Sequence, residues 1–405
     1  MTVSASGKLR VLILLNRIPF PLNDGGAIGT FSFIKGYADS DAEVTVLAMN
    51  TAKHFVERNL LQDSLLKYAT LQEVYVDNRI KPFHAFLNLF KSESYVTERF
   101  KSKIFDEKLK ELLQQNNFDV VHVDGLPPAL YIPTVRKFSH AFVSMRAHNV
   151  EHIVWKRIAE NTTNLFKKWY VNLQAKRLSN FEYAALEQTD ITMTISRDDE
   201  QTIKNFCPQA KTMVVPASMD IANVCDQGNA EVNPLFFIGS FDWMPNEQGV
   251  DWFIAEVWQK LSLTFPDLKF VIAGKKMSEK IKALKTNKLL PIGEVPDAKK
   301  FILDGGLMIV PIISGSGIRI KILEGMALGK CIVATTIAAE GLGLTDGENI
   351  LIADNADEFI TKIGKCLNDV AYRERIAKNA HKFALENFQN KKVFDKLTAY
   401  YRQQL

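Results

Sequence analysis

LMIVPIISGSGIRIKILEGMALG, residues 307 to 329, joins an apolar run to a glycine-bearing turn and then to a helical pattern carrying Arg319, Lys321 and Glu324. An aliphatic run followed by glycines and a helix is a βα unit. In open α/β sheets ligands bind at the carboxyl ends of the strands, where a helix N-terminus offers free N–H groups to an anion. Gly315 and Gly317 lack a Cβ and let backbone come close to a ligand. On a helix starting near Gly317, Lys321 and Glu324 are neighbours on one side, while Arg319 falls toward Met326. A solvated lysine–glutamate pair is the default on most helices. Here Ile318, Ile322, Leu323 and Met326 cover the opposite face and apolar residues border the charges, so the helix reads as buried and its charges need partners. A sugar nucleotide would meet both, with an anion for the lysine and hydroxyls for the glutamate.

The same grammar runs through the chain. Aliphatic runs near 10–15, 43–48, 72–76, 119–123, 141–145 and 191–195 alternate with long helical patterns. The second half repeats this with runs at 235–240, 268–274, 307–312 and 331–335, and shorter ones near 289 and 350. Alternating strands and helices predict parallel sheets in two Rossmann-like domains. The polar stretch CDQGNAEVNP, residues 225–234, is the natural boundary. The C-terminal segment carries Phe383, Phe388, Phe394, Tyr400 and Tyr401 as an apolar stripe, which suits a terminal helix packed on the second domain or one that braces the first.

Composition removes several function classes. The 405 residues are 47% hydrophobic and 24% charged, and 50 Lys and Arg stand against 46 Asp and Glu, too small a surplus for a general nucleic-acid footprint. Cys207, Cys225, Cys331 and Cys366 form no CxxC, so neither zinc nor a disulfide is expected. VLILL, from Val11 to Leu15, is too short for a signal or a membrane span, and no later stretch is long enough to cross a bilayer, which predicts a cytoplasmic protein at most touching a membrane. GSGIRI lacks the third glycine of a dinucleotide fingerprint, and GMALGKC has a cysteine where a Walker loop needs Ser or Thr.

GSGIRIKILEGMALGKCIVATTIAAEGL, with GSFDWMPNEQGVDWF upstream and AHNVEHIVWKR and TISRDDE in the first half, resembles the GT-B retaining glycosyltransferases of family 4. The resemblance covers most of the chain and is most specific in the second half. It implies two Rossmann-like domains facing across a cleft: an acceptor-binding domain over 1–225, a nucleotide-sugar-binding domain over 226–385, and a final helix, 386–405, crossing back to the first. It also implies metal-independent, cofactor-free transfer of a sugar from a UDP- or GDP-sugar to a glycan, a lipid-linked or another cell-surface acceptor. Glu324 matches the residue that binds the donor ribose, Lys321 the one that contacts the diphosphate. Gly315, Ser316, Gly317, Arg319 and Ser240 belong with the donor site. Two departures stand out. Ser316 replaces the first glutamate of the family's E-x7-E pair, and GSFDWMPNEQG lacks the family's basic pair, leaving Lys321, Arg319 and Lys275 as local cations.

On the first-domain side, NDGGAIG follows the first strand and opens a helix, and the family pattern brings Gly25 and Gly26 to the ligand. Asp124 ends the strand of VVHVDGL, and His148 follows the next strand in RAHNVEH, at the mouth the switch-point rule indicates. His148 is the first candidate for a donor-sugar or transition-state contact and Asp124 the second. SRDDE, residues 196–200, reads as a capping box from Ser196 to Asp199 rather than a metal site. Residues 79–103 and 155–178 mix Lys and Arg with Phe, Trp and Tyr, as core-packed amphipathic helices do, and would also seat an anionic membrane surface. Two alternatives remain open: a nucleotide-sugar-binding partner without turnover, and a sugar-nucleotide epimerase.

Overall fold

The computed structural model describes residues 7–22, 25–61, 64–221, 234–315 and 317–405. They cluster into two compact units: residues 1–218 together with 390–405, and residues 219–389. Residues 225–233 of the expected boundary lie outside the described residues.

The first unit holds seven parallel strands in the order β3-β2-β1-β4-β5-β6-β7. Its centre is β1 (Leu9–Leu15), flanked by β2 (Ala42–Thr51) and β4 (Val120–Asp124). Beyond them lie β3 (Thr70–Val76) on one side and β5 (Phe142–Ala147), β6 (Ile191–Thr194) and β7 (Thr212–Val214) on the other. LRVLILL is apolar on both faces because helices cover both sides of a parallel sheet, and Val11 to Leu15 are essentially solvent-free. Strand order reverses between β1 and β4, whose register pairs Leu15 with Asp124, so both strands finish level at the switch point.

The helix Asn390–Gln404 belongs to this first unit and packs on the helix Gly25–Asp39. Phe394 meets Phe33 and Tyr37 edge-on, at centroid distances of 4.7 and 4.9 Å. Gly36 makes room for that ring, which a Cβ there would strike. The preceding helix, Val370–Asn387, lies in the second unit.

That second unit has six parallel strands in the order β10-β9-β8-β11-β12-β13. They are β8 (Leu235–Ile238), β9 (Phe270–Ala273), β10 (Leu289–Gly293), β11 (Leu307–Val310), β12 (Ile332–Ala334) and β13 (Leu351–Ile352). Phe236, Phe237, Phe253, Phe270 and Phe359 are fully buried in its core. Here the switch falls between β8 and β11, so the loops after those two strands open the ligand end of the sheet.

Candidate donor and acceptor sites

At the β8/β11 end, Gly315 and Gly317 take φ values of +98° and +88°, a conformation that L side chains rarely adopt. A Cβ on Gly315 would press on Trp243 and Pro245. The helix runs from Ile320 to Ala327 and so begins three residues later than the pattern indicates. Arg319 is its N-cap in extended conformation, not a position on its wheel. The reason is packing: the buried guanidinium lies 4.8 Å from the Trp243 ring centre and donates to the Gly317 carbonyl, which holds the segment before Ile320 out of the helix.

Lys321, in the first turn, points back toward the loop after β8. Its ammonium donates to Asn246 Oδ1 at 2.7 Å and sits 4.3 Å from the Phe237 ring centre. Gly239, just after β8, leaves the space that this ammonium and the Asn246 amide occupy, and a Cβ there would collide with both. Burial, reinforced by the nearby Arg319 charge, pushes the Lys321 pKa down to about 7. Glu324, one turn on, is half-buried; burial lifts its pKa to about 6 against the pull of Lys321. Lys321 and Glu324 act on each other through charge, and among the described residues the Glu324 carboxylate accepts no side-chain hydrogen bond. An ammonium has three donors, and a neutral amide oxygen satisfies one of them. The other two ammonium donors likewise make no side-chain hydrogen bond among the described residues.

Ser240 donates to Asp242, and its carbonyl accepts from Asn246 Nδ2 at 2.6 Å, so it braces the loop that carries Asn246. Asp242 also pairs with Lys276 at 3.2 Å, and the Lys275 charge acts on it. Ser316 lies outside the described residues. Gly239, Trp243 and Asn246 had no local signal in the sequence, since their partners lie about 75 residues away in Arg319 and Lys321.

At the β1/β4 end of the first unit the two candidate catalytic residues stand side by side. Asp124 Oδ1 lies 3.1 Å from His148 Nε2, and Oδ2 accepts from Thr30 Oγ at 2.7 Å. Arg146 Nη1, 3.4 Å from Oδ1, also reaches the Gly29 carbonyl, and its guanidinium lies 4.3 Å from the Phe33 ring centre. Burial alone would raise the Asp124 pKa; His148, His122 and Arg146 together hold it well below the usual carboxylate range. An ionised carboxylate only accepts, so the Nε2 facing it is the donor in this contact. Gly125, at φ +89°, turns the chain directly after Asp124, and a Cβ there would lie 3.3 Å from the His148 ring. Gly25 and Gly26 form the exposed first turn of the helix that supplies Thr30.

Behind Asp124 runs a buried polar chain. His122 Nδ1 is 3.1 Å from Ser144 Oγ and 3.5 Å from the Tyr37 hydroxyl, which lies 3.1 Å from the hydroxyl of Tyr401 on the last helix. Burial lowers the His122 pKa and keeps the ring neutral. Further along AHNVEH, Glu182 accepts from the backbone N–H groups of Glu151 and His152 at 2.9 and 3.1 Å, fixing the turn after His148. Burial and the Glu182 charge raise the Glu151 carboxyl to about 7.

Residues 233–369, which contain every candidate residue described at the β8/β11 end, match the family model for glycosyl transferases group 1. That third of the chain is similar to a group 1 glycosyltransferase domain, and the chain has a GT-B fold. The structure is similar to sucrose-phosphate synthase from Thermosynechococcus elongatus, at TM-score 0.69 and 14% identity over 98% of this chain and 99% of that one. It is also similar to Anabaena HepE solved with UDP-glucose, at TM-score 0.65 and 13% identity over 98% of this chain and 100% of that one. In sequence it is 23% identical to a Klebsiella pneumoniae protein described as an uncharacterized 44.6 kDa protein in the cps region, over 96% of this chain and 98% of the relative. Among the described residues no helix is long and apolar enough to cross a membrane, and no group of three or more His, Cys, Asp or Glu is placed to hold a metal ion.

Proposed function

We propose that this glycosyltransferase takes its sugar from a UDP- or GDP-sugar held by residues 219–389. It passes the sugar, with retained anomeric configuration and without a metal, to a glycan, glycolipid or other cell-surface acceptor bound by residues 1–218. The observation that carries this is the half-buried Lys321–Glu324 pair behind the Gly315/Gly317 turn, with the lysine ammonium bonded to a single neutral oxygen. In the transfer, the bond from the anomeric carbon to the diphosphate oxygen breaks, the acceptor oxygen bonds to that carbon, and the acceptor hydroxyl proton passes to the departing diphosphate oxygen. Lys321 and Arg319 meet the charge that grows on the departing diphosphate, Glu324 accepts from ribose hydroxyls, and His148, oriented by Asp124, contacts the donor sugar. The donor class is supported by HepE, solved with UDP-glucose, and by an Escherichia coli neighbour solved with UDP-2-fluoro glucose. A polysaccharide-building context is supported by the relative in a cps region. In that context we place its action on the cytoplasmic side of the membrane.

A panel of UDP- and GDP-sugars, with released nucleoside diphosphate as the readout, tests this. One donor should give acceptor-dependent release that persists in EDTA, the product should keep the donor's anomeric configuration by NMR, and Glu324→Ala should cut kcat/KM for that donor about 10- to 100-fold. Binding without release across the panel and across candidate acceptors would establish a non-catalytic partner, and donor conversion without acceptor an epimerase.

A further inference from the structure

The first unit exposes apolar residues in a pattern that solvation does not explain. In the helix Pro82–Asn88 and its continuation, Phe83, Phe86, Leu87 and Phe90 are 68%, 56%, 44% and 79% exposed. At about 100° per residue these four share one face, and Ile80, in the extended segment before the helix, is 69% exposed. A second cluster opens the helix Leu165–Glu187, where Leu165, Phe166 and Trp169 are 79%, 87% and 58% exposed. On that helix Leu165, Trp169, Phe166 and Tyr170 share one sector, with Lys168 on one side of it and Lys167 on the other. Asn164 caps the helix by accepting from the Lys167 N–H at 3.0 Å, so the first turn carrying these rings is a formed element.

The two helices that carry these clusters are fastened to one another. Arg177 donates to the carbonyls of Asn88 and Leu89 at 2.8 and 2.9 Å, and Gln174 accepts from the Tyr95 N–H at 2.7 Å. The Tyr95 hydroxyl in turn accepts from the Lys81 N–H at 3.0 Å, immediately before Pro82. Charge points to the occupant. Residues 79–103 and 155–178 hold twelve Lys and Arg against three Asp and Glu, a surplus of nine, whereas the whole chain's surplus is four, so the remaining residues are net acidic. Aromatic and aliphatic side chains on one face of short helices, rimmed by lysines, are what the interface of an anionic bilayer takes up.

We infer that Ile80, Phe83, Phe86, Leu87, Phe90, Leu165, Phe166 and Trp169, rimmed by Lys167 and Lys168, dock residues 1–218 onto an anionic phospholipid surface. The apolar side chains enter the headgroup–acyl boundary and the lysine stems reach up to the phosphates. This does not depend on the reading of the donor site, because vesicles without any sugar acceptor suffice to test it. The full-length protein is floated with phosphatidylcholine vesicles with and without phosphatidylglycerol, at low and high salt. It should float with the anionic vesicles only, and less so at high salt. The Lys167→Glu/Lys168→Glu protein should bind at least about 10-fold more weakly, and Phe90→Ser/Phe166→Ser should release the protein even at low salt. Both variants change exposed side chains and should keep the wild-type melting temperature. Equal flotation with neutral vesicles, no flotation with either, or binding unaffected by both variants overturns the inference. So does a dimer in light scattering that Phe90→Ser/Phe166→Ser dissociates, since the patch then serves a second copy of the chain.

Discussion

The two units place charged side chains at the same topological spot, the carboxyl end of the strands where the order reverses, and treat them in opposite ways. In the first, Asp124 is enclosed by His148, Arg146 and Thr30 within 3.4 Å and its charge is held by the protein itself. In the second, Lys321 has one neutral oxygen and a charge one turn away, and both Lys321 and Glu324 titrate close to neutral pH. A charge that the fold satisfies fixes geometry, here the ring of His148. A charge that burial penalises without satisfying it is a standing cost, removed when a ligand supplies the partner.

The sharpest way to break this contrast is at Asp124. Replacing it by alanine strands the Arg146 guanidinium, 2% exposed, without its carboxylate, so stability should fall by about 3–5 kcal/mol. Urea denaturation of the wild-type and Asp124→Ala proteins measures the difference. Its pH course is fixed by the sign of the shift. The folded pKa is depressed, so the stabilisation is fully present above the ordinary carboxylate value of 3.8 and is lost as pH falls toward the folded value. An Asp124→Ala protein as stable as wild type at pH 7 would mean that the first site is no more self-satisfied than the second.

Lys321 should behave in the reverse sense. Lys321→Met should lower donor turnover about 10²- to 10³-fold, the effect of removing one stabiliser of developing negative charge. The same change should make the ligand-free protein more stable at pH 6. The Lys321 pKa drops from 10.5 to about 7 on folding, so the cost of the buried charge is fully present below pH 7 and fades as pH rises toward 10.5. Screened by its partial exposure, the gain at pH 6 is on the order of 1 kcal/mol, and it should vanish above pH 10. Melting curves of both proteins across that range test it; a Lys321→Met protein destabilised at pH 6 would show that the ammonium is a structural ion like Asp124.

How much of this contrast the sequence discloses follows from which interactions are local. Strands such as LRVLILL and DVVHV were legible because burial on both faces leaves a continuous aliphatic run, whereas β7, three half-buried residues TMV, leaves none. The neighbourhood of Asp124 and His148 was legible through topology: adjacent parallel strands pair Asp124 with Arg146, two residues before His148. Lys321 and Glu324 were legible as a spacing of three on a helix. The late start of that helix was not, because it depends on Arg319 stacking on Trp243, and neither was the Gly239 and Asn246 cradle. Those contacts join β8 and β11 loops and leave no periodicity in either segment. Phe90 and Phe166 read equally well as core or as surface, and only their exposure separates the two.

The smallest expected effect lies away from both sites and calibrates them. Ser196 caps the helix Arg197–Phe206, accepting from the Asp199 N–H at 3.1 Å and donating to the Asp199 carboxylate at 2.7 Å. Asp198, Asp199 and Glu200 place negative charge on the first turn, where the free N–H groups and the helix dipole favour it. Burial raises the Asp199 pKa, which offsets part of that benefit. Asp199→Ala should therefore cost only about 1 kcal/mol of stability by urea denaturation, with kcat and KM for the donor unchanged. A loss of turnover without a loss of stability would mean that SRDDE takes part in the chemistry, and the division between self-satisfied and ligand-seeking charges would have to be redrawn to include a third cluster.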